Sequence, residues 1–127
     1  MIASLPMYDR PETAAANDRL WQGVRARLGY GPARLRREGD PWDHWQSPDL
    51  LLSQTCGLPY RSRLYDKVRL VGTPVCDLEG CPPGHYYSVF VVRRDDPRDD
   101  PAEFAGAVLA YNEALSQSGW AAPQGWA

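Results

Sequence analysis

The stretch that most constrains this chain is DLLLSQTCGLPYR, from Asp49 to Arg61. Leu50, Leu51 and Leu52 make an unbroken apolar run set off by Ser47 and Pro48, which suits a short strand covered on both faces in a parallel sheet. The chain then enters Ser53, Gln54, Thr55, Cys56 and Gly57, where small hydroxyl and amide side chains stand beside a residue with no Cβ to hold a ligand away. Ligands of open α/β sheets sit beyond the carboxyl ends of the strands, so a ligand is expected at this loop. A polar turn with no ligand would read the same way. A second copy of the pattern bears on the choice. The run Val108, Leu109, Ala110, Tyr111 leads to Asn112 and Glu113 and then to Ser116, Gln117, Ser118 and Gly119, so both loops carry Ser-Gln-Ser/Thr and a nearby glycine after a strand-like segment.

At 127 residues the chain has the size of one ordinary domain with room for a hydrophobic core. Its formal net charge of -2 gives no electrostatic drive towards nucleic acid or anionic lipid. Arginines gather at Arg25, Arg27, Arg34, Arg36 and Arg37, which reads as a solvated helix end followed by a loop. No apolar run has the length of a membrane span, and Met1 to Pro6 lacks the basic start and long apolar core of a signal peptide. The expectation as encoded is a cytoplasmic product with no membrane insertion. Three cysteines do not dictate a disulfide framework, and all three are expected to be reduced in the cytoplasm.

In chain order, Ile2 to Met7 reads as a first strand that leaves Tyr8 at its carboxyl end. Pro11 and Glu12 suit the first turn of a helix capped at Asp9 or Arg10 and running to Leu28, where Gly29, Gly31 and Pro32 stop it. Leu20, Trp21, Val24 and Leu28 recur at helical spacing as its inner face, with Asp18, Arg19, Arg25 and Arg27 outside. Trp42 and Trp45 lie three apart, which on a short helix puts both indoles on one side, for packing or as an aromatic ligand platform. Residues 60–67 suit one or two helical turns. Further strands are expected at residues 68–71, at 86–92 (YYSVFVV, rich in β-branched and aromatic side chains) and at 107–111.

Three chemistries compete for the site. Cys76, Cys81 and His85, with Cys56 as a fourth ligand, outline a loose zinc-site spacing that would suit a small zinc-stabilised interaction domain. Cys56 on a glycine loop could be the nucleophile of a thiol enzyme, with His44 or His85 as base. In the third, hydroxyls, amides and backbone N–H groups of the two Ser-Gln loops close on an oxyanion. This last reading uses both loops and needs neither an enzyme's machinery nor a metal or other cofactor.

The succession of a first strand with Tyr8-Asp9 and a helix, then LLLSQTCGLPY, VGTP, GCPPGHYYSVFVVR and EFAGAVLAYNEALSQSGWAAP resembles the phosphate/phosphonate type of periplasmic solute-binding protein, the substrate-binding component of ABC importers. The resemblance covers nearly the whole chain. It implies an α/β chain of the type II periplasmic-binding fold, a mostly parallel sheet flanked by helices, that binds a phosphate-like or phosphonate-like anion between lobes and is not an enzyme. Asn112, Glu113, Ser116, Gln117, Ser118, Gly119 and Pro123 stand in the family's Ser-x-Ser-Gly segment, with Gln117 where relatives often have threonine. Tyr8, Ser53, Gln54, Thr55 and Tyr60 stand where the first lobe contacts the ligand. In this pattern residues 1–93 are a first lobe with its crossing strand, and residues 94–127 are a linker and the start of an incomplete second lobe. On this pattern the chain is expected to be either a fragment or one half of a cleft whose second lobe a partner chain supplies, and the unpaired strand edge at 107–111 invites self-association. An ABC permease would be the partner of an exported, periplasmic form.

Overall fold

The computed structural model describes residues 1–126. Among them the chain is a small α/β protein with four α-helices and one short parallel sheet of two strands. It divides into two compact units, Met1–Arg69 and Leu70–Ala127. No helix among the described residues is long and apolar enough to cross a membrane.

The first unit holds the sheet. Strand β1 (Ile2–Ser4) pairs in parallel with β2 (Leu50–Ser53), opposing Ile2 to Leu50, Ala3 to Leu52 and Ser4 to Ser53, with an irregularity after Ile2. Between them runs helix α1 (Pro11–Leu28). Pro11 starts it because a proline there forfeits no intrahelical bond, and Gly29 ends it in the left-handed conformation, its N–H donating to Arg25 O at 2.9 Å. At the other end the Thr13 hydroxyl accepts from Arg10 N at 2.9 Å and donates to Tyr8 O at 2.5 Å. That bond ties the exit of β1 to the first turn of α1.

Trp21 organises the core. It is wholly buried, packs with Ala3, Leu5 and Leu35, and is flanked by Val24, Leu51 and Leu52. Its indole N–H, which burial would otherwise leave unpaired, donates to Pro32 O at 3.0 Å. The inner face expected for α1 is therefore corrected: Trp21 and Val24 lie inward, whereas Leu20 and Leu28 are 53% and 43% exposed. A two-stranded sheet is too narrow to cover a wide apolar stripe, so the helix rests on it through the indole. Gly31, at φ 118°, passes so close to Leu51 and Trp21 that a side chain there would strike both.

Asp40 caps helix α2 (Pro41–Trp45), accepting from Trp42 N at 2.8 Å. After β2 come a single helical turn, α3 (Gly57–Pro59), and a π-helical turn at Tyr60–Leu64. The helical expectation for residues 60–67 is met as far as Leu64, which is buried and anchors the turn.

In the second unit, Pro101–Phe104 forms a 3-10 turn, Gln117–Ala121 a π-helical turn, and Ala122–Trp126 helix α4. The strands expected at 68–71, 86–92 and 107–111 are not formed among the described residues. Residues 86–92 carry strand-prone side chains without a strand to pair with: Tyr87 is 62% and Val91 87% exposed. Strand propensity expresses fit to a pleated, half-buried surface, and here that surface is missing. The crossing strand at 86–92 and the strand edge at 107–111 expected to mediate self-association are both corrected on this ground.

Candidate oxyanion-binding loops

Because β1 and β2 are parallel, the segments that leave them emerge at the same edge of the sheet. This brings Tyr8 and the loop at 53–57 to one side. Tyr8 is 70% exposed and is the one described non-glycine residue with positive φ, 62°. A tyrosine in the left-handed region is uncommon, and the Thr13 hydroxyl on its carbonyl helps hold it there.

The loop side chains have unequal freedom. Ser53 Oγ lies 2.8 Å from Ser4 Oγ and accepts from Trp45 Nε1 at 3.2 Å, so this hydroxyl belongs to the packing between the strands. Trp45 Nε1 also donates to Gln54 O at 2.9 Å and thereby fastens the loop to α2. Gln54 Oε1 is buried and accepts no hydrogen bond from the described residues. The Thr55 hydroxyl is half-buried and, among the described residues, makes a single 3.4 Å contact, with Cys56 O. Gly57 has nothing within 4 Å of where a Cβ would stand, so the space in front of its backbone is open. Tyr60 begins the π-helical turn, its ring 6.0 Å from that of Tyr65.

In the second unit, Ser116 is buried and its Oγ accepts from Gly119 N at 3.0 Å, capping the π-helical turn. Asn112 Oδ1 fills the place a side chain on Gly119 would take, so this glycine serves close packing. Glu113 is exposed, and its carbonyl accepts from Ser116 N at 3.1 Å. Gln117 O accepts from Ala122 N, and the half-buried Ser118 lies within the same turn. Tyr111 and Trp120 pack with ring centroids 4.4 Å apart.

The residues of the other two chemistries are placed as follows. His44 is buried with Nε2 2.8 Å from Glu38 O, which commits that nitrogen to the backbone. In the second unit His85 Nδ1 lies 3.2 Å from Pro83 O. Cys56, Cys76 and Cys81 are joined in no disulfide. Among the described residues no three of His, Cys, Asp and Glu gather as ligands for a metal ion.

Two polar arrangements escaped the sequence. The arginine cluster is not simply a solvated helix end: Arg25 Nε donates to Gly31 O at 3.0 Å, and Arg37 reaches both Asp9 and Asp18. The turns after α3 carry Arg61, Arg63 and Lys67 into one groove. The Arg-x-Arg-x3-Lys spacing on a helical segment is the signal that would have marked it. Trp42 and Trp45 do share a side, packed edge to face at 4.9 Å, with the Arg63 guanidinium 5.3 Å from the Trp42 ring.

No protein-family model, curated protein or solved structure matches this chain.

Proposed function

We propose that this chain is a solute-binding module of the phosphate/phosphonate type, taking an oxyanion at the carboxyl edge of the β1/β2 pair, and not an enzyme. The observation that carries the reading is the parallel pairing of β1 with β2, which gives Tyr8 and the loop at 53–57 a common edge. Ligands of parallel α/β sheets are taken at such an edge. Within it the Thr55 hydroxyl and the open backbone at Gly57 are the groups suited to a phosphoryl or phosphonyl oxygen, and Gln54 would contribute through its amide N–H groups, its buried Oε1 being an acceptor. Ser53 acts beneath them as part of the scaffold. In this role the sheet and α1 would belong to a type II periplasmic-binding lobe, and an ABC permease would be the partner.

Titration of the protein with inorganic phosphate and with methylphosphonate, followed by amide NMR, tests the reading. Saturable shifts centred on residues 53–57, weakened by about tenfold in Thr55→Ala, are expected. Absence of saturable shifts in that loop with either anion would sink it.

A further inference from the structure

We propose a second anion site, separate from these loops and independent of the reading just given: the groove formed by Gln46, Arg61, Ser62, Arg63, Tyr65, Asp66 and Lys67, suited to a small ligand with a diphosphate or phosphate-ester group. The groove is open and has a volume of about 480 Å³. That exceeds the needs of a lone phosphate and lies in the range of small-molecule sites. It gathers three cations against one carboxylate in a chain whose formal net charge is -2, so the positive potential here is local.

Its floor is held from two directions. Leu64 is buried, and its carbonyl accepts from Lys67 N at 3.0 Å and Val68 N at 3.1 Å, which folds the backbone so that Arg61, Arg63 and Lys67 line the same depression. Trp42 receives the Arg63 guanidinium against its ring while packing on Trp45, and Trp45 is buried and bonded to the Gln54 carbonyl. A guanidinium stacked on an aromatic face keeps its N–H edge available for a bidentate oxyanion. Among the described residues Arg63 and Lys67 make no ion pair. Ser62 Oγ donates its proton to Leu58 O at 2.7 Å and offers a ligand only an acceptor, so recognition falls to the cations. Asp66 opposes a carboxylate or phosphate in the same groove.

The experiment is an NMR titration of the whole protein with inorganic pyrophosphate, against sodium chloride at matched ionic strength. Saturable shifts of amides 61–67 and of the Arg63 side-chain N–H are expected with pyrophosphate alone. Replacing Arg63 and Lys67 together by Gln should weaken binding by about tenfold or more. Asp66→Asn retains every cation and should strengthen it by about two- to threefold, a gain that a damaged fold would not produce. A single-charge control on the exposed face of α1, Arg19→Gln, should leave pyrophosphate binding unchanged. The site is overturned by equal shifts in sodium chloride, by undiminished binding in the double variant, by no gain in Asp66→Asn, or by pyrophosphate shifts confined to residues 53–57, which would assign the anion to the loop.

Discussion

Arg37 Nε lies 2.8 Å from Asp9 Oδ2, and the same guanidinium reaches Asp18 Oδ1 at 2.9 Å and Ala14 O at 3.3 Å. One side chain thus clips the turn after β1 to two points on α1, and Asn17 completes the clip by donating to Asp9 Oδ1 at 2.9 Å. The turn it holds is the one that presents Tyr8.

The clip predicts an acid-labile fold. The Asn17 amide, aided by the Arg37 guanidinium and opposed by burial, holds the Asp9 carboxyl below its ordinary value of 3.8. A carboxyl whose folded value is depressed stabilises the fold fully above its unfolded value, and that contribution is lost as pH falls through the folded one. Thermal melts of the native protein should therefore lose stability below about pH 4, and Asp9→Asn should show a flatter acid limb. Near neutrality Asp9→Asn should cost on the order of 1 kcal/mol, the Arg37 side being too exposed for more. An acid limb identical in both proteins would remove Asp9 from the account.

A local titration is expected in the second unit. The Arg98 side chain, and next its backbone N–H, hold the Asp96 carboxyl down to about 2. Arg98 donates to it at 2.9 and 2.8 Å while stacking 4.0 Å from the centre of the Phe104 ring. In Arg98→Ala the Asp96 carboxyl should rise from about 2 towards its ordinary 3.8 without reaching it, because the backbone N–H of residue 98 still donates to it, as followed by carbon-detected NMR. A titration still near 2 would show that other groups hold the carboxylate.

Ser4 and Ser53 should be coupled. Their hydroxyls meet at 2.8 Å where the two strands end. Removing either alone leaves the other short of a partner, at a cost of about 1–3 kcal/mol, whereas removing both leaves less unpaired. The Ser4→Ala/Ser53→Ala double variant should lose less stability than the single losses combined, as measured by urea denaturation in a double-mutant cycle. Strict additivity would mean the contact carries no energy.

Two glycines of one loop should answer differently to alanine. At Gly29, φ 78°, a methyl group meets nothing within 4 Å, so only the backbone preference is lost, about 1 kcal/mol. At Gly31, φ 118°, it would come within 3.0 Å of Leu51 Cδ2 and 3.1 Å of the Trp21 ring, adding about 1–3 kcal/mol of overpacking. Urea midpoints that rank Gly29→Ala as the more damaging would contradict the packing around Trp21.

What the sequence made legible was local. Pro11 and Gly29 mark the ends of α1 because each acts through its own backbone, and Leu50 to Leu52 read as a strand because the run is bounded by turn residues. The inner face of α1 was half legible: periodicity named Trp21 and Val24 together with Leu20 and Leu28, but the width of the surface that α1 meets depends on a sheet whose strand count the helix does not encode. The same dependence defeated residues 86–92, where YYSVFVV has the composition of a strand and no ladder to join. At the site, a loop of small polar residues was readable, whereas the inward turn of the Ser53 hydroxyl was not, since it depends on Ser4 across the pair. The Asp9 and Arg37 contact, 28 residues apart in sequence, lies beyond any local pattern.

The pairing of β1 with β2 also sets an order of events during synthesis. Ser4 and Ser53 are 49 residues apart, so β1 leaves the ribosome well before the strand it needs exists. At translation rates of about 5–20 residues per second that interval is roughly 2–10 s, far longer than the microsecond or less in which a helix relaxes. Throughout it α1 can coil and uncoil many times beside an unpartnered Ile2, Ala3 and Leu5. The first unit can complete its sheet only once Leu50 to Ser53 have arrived, however early the helix forms.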